Sequence, residues 1–74
     1  MKVKVEDILE LIKETGVLID VNTLKSDKSL SDQGIDSLDI ANIFLNIQEK
    51  YDVVIPIEKT QELNSIDKIL DYIN

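Results

Sequence analysis

A serine stands between an aspartate and a leucine at Asp36-Ser37-Leu38, with Gly34 two residues before the aspartate. Apolar residues at helical spacing follow, so Ser37 sits where a loop becomes a helix. A hydroxyl in that place has two uses. It can cap the helix, a task for which aspartate and serine are both preferred, so Asp36 and Ser37 are each candidates. It can also carry a phosphoester. Free backbone amides and the positive end of the dipole face outward at a helix N-terminus, and they favour an exposed anion by about 0.3–1 kcal/mol. A hydrolytic serine fits poorly. The chain has no histidine and no cysteine, so the usual general base and any thiolate nucleophile are missing. No glycine-rich oxyanion loop stands nearby either.

Metal chemistry finds little support. Without cysteine or histidine, zinc and other soft metals lose their usual ligands. A calcium loop starting at Asp20 puts Leu24 at a ligand position, Lys25 at the turn glycine and Ser31 at the bidentate glutamate. One starting at Asp27 puts Leu38 at the last ligand position. Asp32, Asp36 and Asp39 read as a solvated acidic surface, with at most weak, non-specific affinity for divalent cations. No metal site is expected.

These residues need a scaffold, and the chain offers a small one. Seventy-four residues make one domain spanning 1–74, which buries only about 60% of its unfolded surface and leaves little room for an enclosed active site. Apolar content of 43% argues for a folded globule. Eight lysines, no arginine and fifteen carboxylates give a formal charge of −7. Nucleic acid needs a basic footprint, so the sign argues against it and favours basic protein partners. The start, "MKVKVEDILELI", has acids within its apolar pattern and reads as neither a signal peptide nor a membrane span. A cytoplasmic home is the default expectation.

The expected fold is all-α: a small four-helix bundle of three main helices and one short one, with a long loop between the first two. Val5, Ile8, Leu9 and Ile12 mark helix one over about 4 to 15, Leu11 widens its stripe, and Gly16 is a stop. Residues 17 to 35 form the loop, with Val17, Leu18, Ile19, Val21, Leu24, Leu30 and Ile35 as apolar anchors. A strand at "VLIDV" would lack a partner. Helix two runs from about Ser37 to Tyr51. Leu38, Ile40, Ala41, Ile43, Phe44, Leu45, Ile47 and Tyr51 share its apolar side, while Asp39, Asn42, Asn46, Glu49 and Lys50 fall in a polar arc of roughly 100°. "DVVIPI" is an extended connection closed by Pro56. "IEKTQEL" makes a short third helix. "NSIDKILDYIN" makes the last, capped by Asn64 or Ser65.

The chain resembles the acyl carrier proteins. The matching run begins at "DQGIDSLD", residues 32 to 39, passes directly into an amphipathic helix, and continues through Tyr51, Ile55-Pro56 and the closing "IDKILDYI". Residues before 30 match only in layout. The resemblance implies that Ser37 is the attachment site of 4′-phosphopantetheine, supplied from coenzyme A by a phosphopantetheinyl transferase. Asp36 and Leu38 would help that enzyme recognise the site. The thiol of the group would hold acyl intermediates as thioesters, which accounts for a chain without cysteine or catalytic base: the chemistry belongs to partner enzymes. Helix two would present Asp39, Asn42, Asn46 and Glu49 to basic docking surfaces on acyl-transferring or acyl-modifying enzymes, the carrier itself being a monomer without catalysis of its own.

Two departures stand out. Gln33 occupies the place before the glycine where the family commonly has leucine, and Asn42 and Asn46 soften a face that is strongly acidic in fatty-acid carriers. They leave room for a discrete carrier of a specialised pathway, of aminoacyl, peptidyl or polyketide type, beside fatty acid biosynthesis. A small acidic interaction or inhibitor domain, whose partner binding would ignore Ser37, is the reading from another class. Phe44, Leu45, Ile47 and Tyr51 read first as core, though the small Ala41 beside them can leave space for cargo.

Overall fold

Four helices form where the periodicity places them, and a computed structural model describes residues 2–74. Helix α1 is Val5–Thr15, α2 is Ser37–Tyr51, α3 is Ile57–Thr60 and α4 is Ile66–Ile73. Among the described residues there is no strand, so "VLIDV" is not one: Val21 instead opens a 3-10 turn, Val21–Thr23. The Asp20 side chain accepts from Asn22 N at 3.0 Å at the start of that turn. Of "DVVIPI" only residues 53–56 form the extended connection: Asp52 is the left-handed close of α2, and Ile57, directly after Pro56, already opens α3.

Each helix has identifiable ends. The Lys4 amide donates to the Asp7 carboxylate at 2.9 Å at the start of α1. Gly16 closes that helix in the left-handed region at φ 93, where a side chain would be strained. At the end of α2, Asp52 takes a left-handed conformation at φ 53, and its amide donates to Gln48 O. Ser65, the second of the two cap candidates, caps α4 by accepting from Lys68 N at 3.3 Å. Helix α3 is a single turn that cannot persist alone, so the segments around it hold it.

The core lies between α1, α2 and α4. Ile8, Leu11 and Ile12 meet Ile43, Phe44 and Ile47, with Ile66, Ile69 and Ile73 closing the third side. Each fully buried isoleucine contributes about 1.5–3 kcal/mol by leaving water. One polar link crosses the α1–α2 contact: Asn46 Nδ2 donates to Thr15 Oγ1 at 3.0 Å. Another joins the chain ends, where the Asn74 carboxamide exchanges two 2.9 Å hydrogen bonds with the Val3 backbone.

The long loop is pinned down across the bundle. Val21, Leu30 and Ile35 are buried, and Val17, Ile19 and Leu24 pack against the core. Leu18 does not: it is fully exposed, against its expected role as an anchor. Val17 and Ile19 turn inward on either side of it, and a non-helical backbone that buries residues i and i+2 directs the one between them outward. Two backbone hydrogen bonds hold the loop to the approach and start of α4, Leu30 N to Asn64 O at 2.9 Å and Asp67 N to Ser26 O at 3.0 Å.

The apolar side of α2 is broader than its core contact. Ile43, Phe44 and Ile47 are buried and Ile40 and Tyr51 half-buried, but Leu38 is 77% exposed, Leu45 55% exposed, and Ala41 exposed beside them. Periodicity identified an apolar half-circle, and only part of it has neighbours to cover it. Conversely Asn46, counted on the free polar arc, is half-buried and engaged with Thr15, because α1 packs against that flank.

Candidate functional site

The path into α2 is built to deliver Ser37. The chain makes a 3-10 turn over Ser31–Gln33 and then reverses at Gly34, whose φ of 98 requires glycine. Ile35 is buried and anchors the segment. Asp36 is extended, and its carboxylate accepts from Asp39 N at 2.9 Å while its carbonyl accepts from Ile40 N at 3.0 Å. Asp36 is therefore the cap. Ser37 is the first helical residue, exposed, and its hydroxyl is spared the capping contact.

This division of labour has an electrostatic consequence. A helix start leaves four backbone amides without intrahelical partners. The Asp36 carboxylate takes one of them, that of Asp39, and its carbonyl accepts the first intrahelical bond, which leaves the amides of Ser37 and Leu38 for an anion on the serine oxygen. The carboxylates of Asp36 and Asp39 work against that attraction at short range, so the end suits a singly charged phosphodiester better than a dianion. Among the described residues no three potential ligands converge as they would around a metal ion.

Beside Ser37 lies an open groove of about 550 Å³ between α2 and residues 55–61. Ile40, Ala41, Phe44, Leu45, Ile55 and Ile57 supply its apolar lining. Gln48 also reaches the groove, where its Nε2 donates to Phe44 O at 3.3 Å and its Oε1 accepts from Ile55 N at 3.0 Å. The second bond holds the extended connection against α2 and shapes the wall. Tyr72 steadies the same connection by donating to Val54 O at 3.3 Å. The residues first read as core thus divide: Ile47 is buried, Phe44 is buried yet borders the groove, and Leu45 is largely open to it.

The other candidate residues spread along α2. Leu38, Asn42 and Glu49 are exposed, Asp39 is half-buried at the first turn, and Asn46 lies on the flank against α1. Two exposed apolar residues follow α2 without a place in the sequence-based site: Ile57, 83% exposed across the groove from α2, and Val54, 79% exposed on the connection before it. The extended geometry imposed by Pro56 was the available signal, because alternate residues of such a segment point to opposite sides.

Comparison with known proteins agrees with this layout. A family model described as the phosphopantetheine attachment site matches residues 6–73. The acyl carrier protein of Clostridium acetobutylicum is 32% identical over 71 residues, covering 95% of this chain and 87% of that protein. The acyl carrier protein of Tropheryma whipplei is 36% identical over 70 residues, covering 92% of this chain and 83% of that protein. A shorter match, 42% identical over 45 residues, joins 61% of this chain to 57% of the acyl carrier protein of Buchnera aphidicola. The chain belongs to the family of phosphopantetheine-bearing carrier proteins, whose 4′-phosphopantetheine is covalently attached; it is a carrier and not an enzyme.

Proposed function

We propose, from that membership, that Ser37 is the residue that receives 4′-phosphopantetheine and that residues 1–74 act as one acyl carrier domain. Ser37 Oγ attacks the phosphorus of coenzyme A that bears the pantetheine arm. An oxygen–phosphorus bond forms to the serine, the pyrophosphate bond breaks, and the nucleotide part leaves. The serine proton passes to the phosphopantetheinyl transferase, since this chain supplies no histidine. Once attached, the group supplies a thiol at the end of a flexible arm, on which cargo is held as a thioester. The observation that carries the reading is the capping arrangement: Asp36 takes the structural task, and the Ser37 hydroxyl stays exposed at a helix start with two free amides.

The chain's own residues then have distinct tasks. Asp36 and Leu38 flank the serine where a transferase must grip. Asp39, Asn42 and Glu49 contribute to the face read by acyl-transferring or acyl-modifying enzymes with basic surfaces, for which the charge of −7 provides attraction at long range, while Asn46 is held on the flank by Thr15. The apolar groove beside Ser37 fits an aliphatic acyl cargo. On this reading the carrier acts as a monomer in the cytoplasm, in fatty acid biosynthesis or a related pathway of lipid metabolism. No helix among the described residues is long and apolar enough to cross a membrane. One observation favours a dedicated partner set of a specialised pathway over a general one: the outward side of α2 sets Leu38, Asn42 and Leu45 among its acids Asp39 and Glu49.

Incubation with coenzyme A, magnesium and a broad-specificity phosphopantetheinyl transferase tests the reading by intact mass. The wild-type chain gains one cofactor mass and Ser37→Ala gains none. A wild-type chain that stays unmodified by several such transferases overturns it. A partner captured equally by wild type and Ser37→Ala would favour the interaction-domain reading instead.

A further inference from the structure

Gln33 binds the backbone of the loop that precedes it through both ends of its carboxamide. Its Oε1 accepts from Lys25 N at 2.7 Å, and its Nε2 lies 3.0 Å from Lys25 O, 3.1 Å from Lys28 O and 3.4 Å from Ser29 O. Two amide hydrogens serve three carbonyls, so one bond is shared. The carboxamide thereby closes residues 25–33 into a ring. The other side of the ring is tied to the approach and start of α4, through Ser26 O to Asp67 N at 3.0 Å and Leu30 N to Asn64 O at 2.9 Å. Only Gly34, Ile35 and Asp36 separate Gln33 from Ser37. The loop is thus held between α4 and the entry to α2, and one side chain completes the second attachment.

We infer that Gln33 is a positioning residue for the modification of Ser37: its carboxamide keeps the loop preceding α2 in the one arrangement that a phosphopantetheinyl transferase engages. This rests on Ser37 being the modified residue. Gln33 is half-buried and lies outside the hydrophobic core, so its loss leaves the apolar packing in place. What changes is the fraction of molecules with the loop in the competent arrangement. A transferase meeting a partly competent population shows a raised apparent KM for the carrier, while turnover of the bound complex is unaffected.

Three variants of the full chain test it, using coenzyme A, magnesium and a broad-specificity transferase. Gln33→Met keeps the length and packing of the side chain and removes every hydrogen bond. Gln33→Glu keeps its shape, removes the Nε2 donors and sets a carboxylate against three carbonyls. Asn74→Ala, at the far clasp with Val3, loses two hydrogen bonds without touching the loop and serves as the destabilised control. Both Gln33 variants should keep wild-type helical circular dichroism, and Gln33→Met, which loses the acceptor of the Lys25 amide, should exchange that amide about tenfold faster. Their KM should rise roughly three- to tenfold with kcat unchanged, and Asn74→Ala should leave KM where it was. A KM unmoved in both Gln33 variants, or raised equally by Asn74→Ala, overturns the role of Gln33 while Ser37 remains the modified residue. A wild-type chain that gains no cofactor mass overturns the Ser37 reading and this inference together.

Discussion

Two serines stand at helix starts in this molecule, and their circumstances are opposite. Ser65 is 4% exposed and is itself the cap of α4, accepting from Lys68 N at 3.3 Å. Ser37 is exposed at the first position of α2, where Asp36 already accepts from Asp39 N at 2.9 Å. The first hydroxyl is consumed in stabilising its helix, and the second is released by its neighbour. The contrast shows how a small fold can keep a reactive-group anchor at a helix end without weakening the helix: the cap is moved back one residue, onto a carboxylate. The surroundings differ in the same sense. Ser65 faces the packed junction of loop and α4, whereas Ser37 opens onto a groove and an uncovered apolar strip on α2.

Substitution at each start should separate the two roles. The largest effect belongs to Ser37→Ala, which should abolish the gain of cofactor mass. Its unfolding free energy should move by less than about 0.5 kcal/mol, because an exposed non-capping serine has little structural role. A substantial loss of stability would mean that Ser37 shares the capping. Asp36→Ala should act on both readouts: loss of the cap costs about 1 kcal/mol, roughly 4–8 °C in melting temperature for a chain of this size, and modification should slow. Modification at the wild-type rate would remove Asp36 from the recognition surface. Ser65→Ala should lower the melting temperature by a similar roughly 4–8 °C and leave the rate of modification unchanged. A slowed modification there would mean that the two starts are coupled through the loop they share.

The smallest expected effect is electrostatic and common to both regions. Among the described residues a single ion pair appears, Lys59 to Glu62 at 3.2 Å and exposed, against a formal charge of −7. Repulsion among the carboxylates should therefore be relieved by salt or magnesium, raising the melting temperature by a few degrees. A midpoint that does not move between low and moderate salt would show that the charges are better spaced than their number suggests.

Much of this was legible beforehand, for local reasons. Gly16, the isoleucine and leucine stripes of α1 and α4, and the span from Ser37 to Tyr51 follow from helical periodicity and end signals, which depend on residues within a turn or two. Leu18 is exposed against expectation because composition identifies an apolar residue without saying which way an irregular backbone turns it. Asn46 was placed on the free face because the helical wheel has no knowledge of Thr15 on another helix, 31 positions away along the chain. Gln33 showed only as a departure from a familiar pattern, since nothing local predicts a side chain that reaches back eight residues to Lys25.

Residue order alone settles that this chain forms helices, that it is acidic, that it encodes neither thiol nor imidazole, and that a serine begins α2. Those properties depend on side-chain chemistry and on spacings of a helical turn or two. Packing settles which of Asp36 and Ser37 becomes the cap, which half of the apolar side of α2 is covered, and where a groove opens. Each of those outcomes depends on segments far apart in the chain arriving at the same place. A buried Ile35, a reversal at Gly34 and a loop pinned to α4 together set the entry angle of α2, and that angle leaves the Ser37 hydroxyl facing outward.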